Sequence, residues 1–324
     1  MIIHVALPIP VRKTFSYIVP DTWAPFIQPF LRVKVPFKNK DTIGFIVGIE
    51  EGHADGLKVI QEVIDPFSLL NEKALQLAEW ASNYYIAPQG LVLGYALPPK
   101  LSIEQYLKIQ ALSEIETNGL DNLTLRKACK IFGRNVVFEH YKKGLLRFYD
   151  TFTNKDFLPC GYEKPNNIEG KTLFLGNIHD RLQYYIEAID QHIVKGENVL
   201  MFVSSHHTIG QFYFDKLSEK FPTKVIQYGV SVTPKKRMEA YFRARNEGGR
   251  IILGSRSCLF LPVLKNGLII VERPEEDEYR NEEGFRFNAV DLAIQRAEIE
   301  HVPIVLGSVS PPLEIYKRAI DGEL

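Results

Sequence analysis

Alternating apolar and polar positions dominate the first third of the chain, and apolar strands separated by helical stretches dominate the last half. Ile2 to Ala6 reads as a strand ended by Pro8 and Pro10, and Thr14 to Val19 alternates up to Pro20-Asp21. Leu31 to Phe37 sets apolar against basic residues, the pattern of a half-exposed strand, and Pro36 puts it at an edge or a strand end. Thr42 to Ile49 carries Gly44 and Gly48, which predict a bulge or the close approach of another chain. Lys58 to Ile64 is a last strand, followed by a helix from Asn71 to Tyr85 that Pro88 closes.

The middle of the chain changes period. Leu112 to Asn118, Thr124 to Phe132 and Asn135 to Lys143 predict three short helices, divided by Gly119, Gly133 and Gly144. An apolar, β-rich run from Leu145 to Phe152 follows. Three helices and a hairpin make a winged-helix plan with the third helix as reader. Arg134, Asn135, His140, Lys142 and Lys143 are its polar face. A linker with Pro159, Pro165 and Asn166-Asn167 then leads to Gly170. From Lys171 on, runs such as TLFL, NVLMFV, KVIQYG, RIILGS, GLIIVE and PIVLGS alternate with helical patterns, which implies a parallel sheet covered on both faces. The fold class is therefore multidomain, α+β then α/β: a small β-rich domain over 1–105, a winged helix over 106–155 and a parallel α/β lobe over 165–324.

Composition narrows this little. The 324 residues are 45% hydrophobic and 24% charged, and 39 Lys+Arg balance 39 Asp+Glu, so the total charge announces no nucleic-acid partner. Cys129, Cys160 and Cys258 lie far apart without a C-x-x-C pair, which predicts reduced thiols and neither a zinc ribbon nor a disulfide framework. The N-terminus lacks the pattern of a signal peptide, and no apolar run approaches the ~20 residues of a membrane helix, so a cytoplasmic protein is expected. His206-His207 has no third metal ligand nearby, and no Ser/His/Asp or Cys/His constellation stands out. The acidic run Glu275 to Glu278 with Glu282-Glu283 reads as a solvated loop. The cluster Lys235, Lys236, Arg237, Arg243, Arg245 and Arg250 fits either a surface helix face or a phosphate-backbone contact.

One stretch bears directly on chemistry. Lys171 to Ile189 has the strand, glycine turn and helix of a nucleotide phosphate loop, with the turn at Gly176. A phosphate loop needs G-x-x-x-x-G-K-S/T, so that backbone amides cradle the phosphates, the lysine reaches them and the hydroxyl holds Mg²⁺. After Gly176 comes Asn177-Ile178-His179-Asp180-Arg181 instead.

The blocks HVALPIPVRKTFSYIVP, VKVPFKNKDTIGFIVGI, LKVIQEVID and WASNYYIAPQGLVLGYALPP, in that order, resemble the N-terminal DNA-binding domain of the primosomal protein N′ (PriA) family of bacterial replication-restart helicases. The resemblance extends through GRIILGSRSCLFLPVLKNGLIIVE, EDEYRNEEGFRFNAVDLAIQRA and PIVLGSVSPPLE to a RecA-like helicase lobe. It implies that the first domain pockets the 3′ end of a nascent strand, with Phe15, Ser16, Tyr17, Lys38 and Lys58 at the family's end-binding positions. Ser16 replaces an aspartate and Lys38 a glycine. A serine accepts from a 3′ hydroxyl without the added strength of a charge. The family has a winged helix here too; winged helices serve either DNA or protein partners, and for DNA contact the candidates are Arg134, Asn135, Lys142 and Lys143.

ATP and Mg²⁺ serve the family, but here Gly176 and Glu272 mark a degenerate nucleotide site. The loop is one residue short, and Glu272-Arg273-Pro274-Glu275 stands in place of D-E-E-H, with Glu272 left as a potential cation ligand. The family's zinc-binding cysteines are missing, and the sequence stops just past the first lobe. The expectation is a DNA-binding replication-restart factor for branched or 3′-ended DNA, leaning away from an enzyme and using no cofactor. Its partners would be other replication-restart proteins and single-stranded-DNA-binding protein. Alternatives are an ATP-dependent 3′-5′ helicase subunit completed by another polypeptide, and an interaction scaffold that does not bind DNA.

Overall fold

The computed structural model describes residues 1–52, 56–97, 101–112, 119–159, 170–204, 207–229 and 232–324. They divide into two compact units, 1–71 with 82–160, and 72–81 with 161–324. The predicted β-rich domain and winged helix thus fall into one unit. Residues 113–118 of the expected helix, Cys160, most of the linker and His206 lie outside the described residues, and Leu112, the expected start of that helix, instead donates to Leu145 O beside the paired strands.

The first unit opens with β1 (Ile2–Ala6), β2 (Phe15–Ile18), β3 (Arg32–Phe37), β4 (Lys40–Glu50) and β5 (Glu62–Val63). They form an antiparallel sheet in the order β2-β1-β4-β3-β5. The expected single strand 58–64 is shared between two neighbours. Ile18 N–H donates to Lys58 O and Ile60 N–H to Ile18 O, after which Gln61 N–H donates to Lys34 O on β3. The segment therefore bridges both outer strands, and the sheet curls back on itself with its edges paired. The glycines of β4 act as predicted. The β1–β4 register slips between His4 and Val5, leaving Val47 unopposed, and a Cβ on Gly44 would stand 2.5 Å from Val5 Cγ1.

Next come α1 (Glu72–Tyr84), which the division between units crosses, α2 (Gln89–Ala96) and β6 (Leu107–Ala111), then α3 (Leu125–Phe132), α4 (Arg134–Lys142) and β7 (Leu146–Asp150). Gly133 alone separates α3 from α4, and its φ of 86° is one that glycine adopts without strain. β7 pairs with β6 and also starts a short hairpin, with Asp150 N–H donating to Lys155 O and Phe157 N–H to Phe148 O. The start of the expected linker therefore belongs to the fold, and Phe157 is fully buried.

Aromatic packing and one guanidinium join α4 and the hairpin that follows it to the β-rich sheet and its flanking segments. Trp23, Phe26 and Phe138 meet edge to face at 6.1 to 6.5 Å, and Phe67 lies 6.0 Å from Tyr141 and 5.2 Å from Phe157. Arg134 donates to Glu62 at 2.7 Å, to Ile64 O at 2.8 Å and to Glu104 at 3.0 Å. Burial acts to lower its pKa, but Glu104 and then Glu62 outweigh that and raise it, so the cation persists.

The second unit holds β8 (Lys171–Leu175), α5 (Ile178–Ile193), β9 (Asn198–Phe202), α6 (His207–Lys220), β10 (Val225–Tyr228), α7 (Pro234–Asn246), β11 (Ile251–Gly254), β12 (Asn266–Glu272), the ribbon β13 (Arg280–Asn281) and β14 (Phe287–Asn288), α8 (Ala289–Glu300), β15 (Ile304–Ser308) and α9 (Leu313–Ile320). Six strands pair in parallel in the order β10-β11-β9-β12-β15-β8, as the β-α alternation predicts. β9, β11, β12 and β15 are buried along their whole length, which explains their unbroken apolar sequences. The acidic run is not the expected solvated loop. Glu275 accepts from Ser308 Oγ, Glu278 accepts from Ser204 Oγ and Glu276 pairs with Arg273, while Asp277 and the later Glu282-Glu283 are exposed. The basic cluster is largely paired within the unit: Arg243 and Arg250 share Glu247, Arg237 donates to Gly229 O, and Arg245 is buried against Tyr241.

Arg134→Met is expected to destabilise the first unit by about 2–4 kcal/mol, because two carboxylates lose their common partner away from bulk water. Urea unfolding of the whole chain in a Trp80→Phe background, followed by the fluorescence of Trp23, checks this.

Candidate nucleic-acid interface and the nucleotide-site remnant

The end-binding candidates arise from three places in the β-rich domain. β2 supplies Phe15, Ser16 and Tyr17, the β3–β4 turn supplies Lys38, and Lys58 comes alongside through its backbone bond to Ile18. Strand alternation separates the β2 residues. Tyr17 points inward, is 4% exposed and lies 3.4 Å from Pro36 O. Phe15 meets Phe37 edge to face at 5.0 Å, and Lys13 and Lys38 lie over these two rings at 5.8 and 5.7 Å. Phe15 and Lys38 are thus brought together through Phe37. Ser16 faces the other way, opposite His4, and Lys38 and Lys58 are exposed.

Lys38 has a φ of 52°. A left-handed conformation costs a residue with a side chain roughly 1–2 kcal/mol. This gives a physical sense to the glycine of the resembling family at that position, and it shows that Lys38 is held in a strained turn.

Ser16 belongs to a group that linear spacing does not reveal. His4 Nδ1 lies 3.1 Å from Ser16 Oγ, and His4 Nε2 lies 3.4 Å from a Glu50 carboxylate oxygen. A serine, histidine and carboxylate are therefore in a row, although the sequence offered no such constellation. Cross-strand pairing of residues far apart in sequence makes the row.

The winged-helix candidates divide. Arg134 is bound within the unit by Glu62, Glu104 and Ile64, so its guanidinium is not presented to solvent as the reader-helix plan expected. Asn135, Lys142 and Lys143 are exposed. Lys142 Nζ donates to Pro25 O at 2.7 Å and stands 5.9 Å from the Phe26 ring. Lys143 pairs with Glu139 at the surface, an arrangement of small energetic weight. Burial raises the pKa of the Cys129 thiol to about 11 and outweighs the opposing pull of Arg134, so the thiol stays protonated at neutral pH.

The phosphate-loop stretch is a real strand, turn and helix with a different filling. Only Gly176 and Asn177 separate β8 from α5. The first amides of a helix form an anion site when they are free. Here the Asn177 side chain accepts from His179 N–H at 2.9 Å and Asp180 N–H at 3.1 Å, and Asp180 adds negative charge in the same turn. Behind the turn, Arg181 reaches across the carboxyl ends of the strands. It donates to both oxygens of Glu272 at 2.6 to 3.2 Å and to Gly176 O. Tyr185 Oη donates to Glu272 at 2.7 Å, and Tyr279 Oη donates to the Glu272 carbonyl at 2.7 Å. Glu272 is completely buried and Arg181 is 2% exposed. Burial, then the Glu272 charge, push the Tyr185 and Tyr279 phenols far up, so both remain neutral donors. Gly307 makes the arrangement possible, since a Cβ there would fall 1.6 Å from Tyr185 Oη.

Glu272 was a potential cation ligand by sequence, but its two oxygens are engaged by Arg181 and Tyr185. Arg273, with φ 55°, turns away to Glu275 and Glu276. Lys171 pairs with Glu298 at the start of β8, away from the turn at Gly176.

Comparison with known proteins gives concordant matches. Residues 4–98 match the family model of the PriA 3′DNA-binding domain (3′BD). Over 99% of its length the chain is 26% identical to the replication restart protein PriA of Buchnera aphidicola subsp. Acyrthosiphon pisum, covering 50% of that protein. It is 28% identical to replication restart protein PriA of Bacillus subtilis over 96% of the chain and 53% of the relative. The Rickettsia felis protein of the same name is 25% identical over 94% of the chain and 42% of the relative. The chain thus spans about half the length of the curated relatives it matches.

Arg181→Met should cost the second unit about 3–5 kcal/mol by leaving Glu272 unpaired in the interior, and the double change Arg181→Met with Glu272→Leu should recover most of that. Denaturant midpoints of the single and double variants check the pair. Equal losses in both would mean that the ion pair is not what the region depends on.

Proposed function

We propose that this PriA-like chain is a DNA-binding replication-restart factor that holds branched or 3′-ended DNA and does not itself hydrolyse ATP. The match of residues 4–98 to a 3′DNA-binding domain carries the DNA reading. Phe15, Lys38 and Lys58 at the rim of the β-rich domain, with Asn135, Lys142 and Lys143 on the winged helix, are the contacts to strand and backbone. Ser16 is the contact to the 3′ hydroxyl.

The filled nucleotide site supports the second half of the reading. A capped helix N-terminus, an acidic residue beside it, and a guanidinium bound to the carboxylate expected to serve a cation are a donor set that does not fit a nucleotide phosphate with Mg²⁺. The lobe keeps its complete parallel sheet and acts as a scaffold for other replication-restart proteins.

Titration of labelled fork DNA with the whole chain at low and moderate salt tests the DNA reading. Affinity should fall steeply with salt, because phosphate contacts by Lys38, Lys58, Lys142 and Lys143 release counterions, at a slope of about 0.9 per phosphate contact on a logarithmic scale. No binding, or binding indifferent to salt, would favour an interaction scaffold without DNA. Phosphate release in the presence of fork DNA and Mg-ATP should stay at background. Turnover clearly above it would instead favour a helicase subunit completed by another polypeptide.

A further inference from the structure

We infer that His4 positions the Ser16 hydroxyl as a pure hydrogen-bond acceptor for a DNA 3′ hydroxyl, and that Glu50 fixes the imidazole tautomer this requires. The inference rests on the proposal that the β-rich domain holds a 3′ end. The geometry comes from the sheet. His4 lies opposite Ser16 on one side and Gly48 on the other. A Cβ on Gly48 would come within 2.9 Å of His4 Cδ2, so the glycine lets the ring lie across β4. Glu50, two positions on, projects from the same face as Gly48 and meets the far nitrogen of the ring.

The proton inventory follows from the partners. An ionised carboxylate only accepts, so His4 Nε2 carries the proton that points to Glu50. In the neutral ring Nδ1 is then bare and accepts the Ser16 O–H, 3.1 Å away. With its proton held there, Ser16 Oγ offers only lone pairs to an incoming group. A free serine hydroxyl rotates and serves equally as donor or acceptor. His4 thus gives Ser16 the one-way character that a carboxylate has by itself. A 3′ hydroxyl is a donor and satisfies such an oxygen; a 3′-deoxy end leaves it without a partner.

The test is the ratio of affinities of the whole chain for fork DNA ending in a 3′ hydroxyl and in a 3′-deoxy nucleotide. The unaltered chain should prefer the hydroxyl by about 5- to 10-fold, the worth of one hydrogen bond to an oriented acceptor. His4→Phe, which keeps a ring over Gly48 but has no nitrogen, should reduce the ratio by about 3-fold or more. In a Ser16→Asp background, where the acceptor needs no orienting, His4→Phe should leave the ratio unchanged, a result that a merely structural role for His4 does not produce. Retention of the full ratio in His4→Phe, with its loss in Ser16→Ala, would overturn the positioning role while the end-binding proposal stands. A ratio of one in the unaltered chain would overturn both. If circular dichroism shows that His4→Phe does not fold, Glu50→Leu at an exposed position carries the same decision, since the ring then loses its fixed tautomer.

Discussion

A carboxylate wholly removed from water needs a cation and hydrogen bonds, and Glu272 meets that need with Arg181 and Tyr185. Around this pair the carboxyl end of the parallel sheet is organised. β12 ends in the carboxylate, α5 supplies the guanidinium and the phenol, β8 ends in the carbonyl that takes the remaining donor, and β15 passes between them with a glycine. In open α/β sheets this crevice is where ligands bind. Here the protein's own side chains occupy it. The isolated desolvation penalty of such a pair is large, and its geometry must be good to offset it. Two guanidinium nitrogens on one carboxylate and a phenol on the same group provide that geometry.

The first unit uses the same device for a different end. Arg134 begins the helix that the winged-helix plan makes the reader, yet its donors all turn toward the β-rich domain. Arg32, 1% exposed, pairs bidentately with Asp65 and donates to Leu101 O, holding β3 to segments before and after the helices. Buried guanidinium groups therefore set how the β-rich domain and the winged helix meet. The cations left for a polyanion are exposed lysines at strand turns and helix ends: Lys38, Lys58, Lys142 and Lys143, the last paired with Glu139 at the surface.

Most of the architecture was legible from hydrophobic period. The strands of the lobe fall within a residue or two of their apolar runs, because strands buried on both faces are mostly apolar and keep polar residues such as Asn198, Asn266 and Glu272 at the ends. What escaped had a physical reason. Gln89 to Ala96 is too uniformly apolar to show a helical face, so Pro88 read as an end and not as the cap before a second helix. The strand Leu107–Ala111 is short and gains its identity from pairing with β7. The acidic run looked solvated because Ser204 and Ser308, which bind it, are brought to it only by the parallel sheet and its loops, while Arg273 pairs with Glu276 locally. Among the candidate site residues, the positions at the turn and on β2 were legible through resemblance. The partners of Ser16 and Arg134 were not, because the first is chosen by strand register and the second by the packing of α4 on a segment some seventy residues earlier and on Glu104.

The same register fixes the strand, turn and helix around Gly176. The position of Gly176 is set by β8 pairing with β15, where Ser308 O accepts the Gly176 amide, and the position of Glu272 by β12 pairing with the same strand. Neither depends on a bound phosphate. Once Arg181 and Glu272 are joined, the interior penalises the loss of either alone, and the Gly176-Asn177 turn shares in the arrangement, with Gly176 O accepting from Arg181 and Asn177 capping α5. Substitutions that reopen the crevice must therefore replace the pair together. The strand, turn and helix are thus held by strand pairing, by a helix cap and by one buried ion pair.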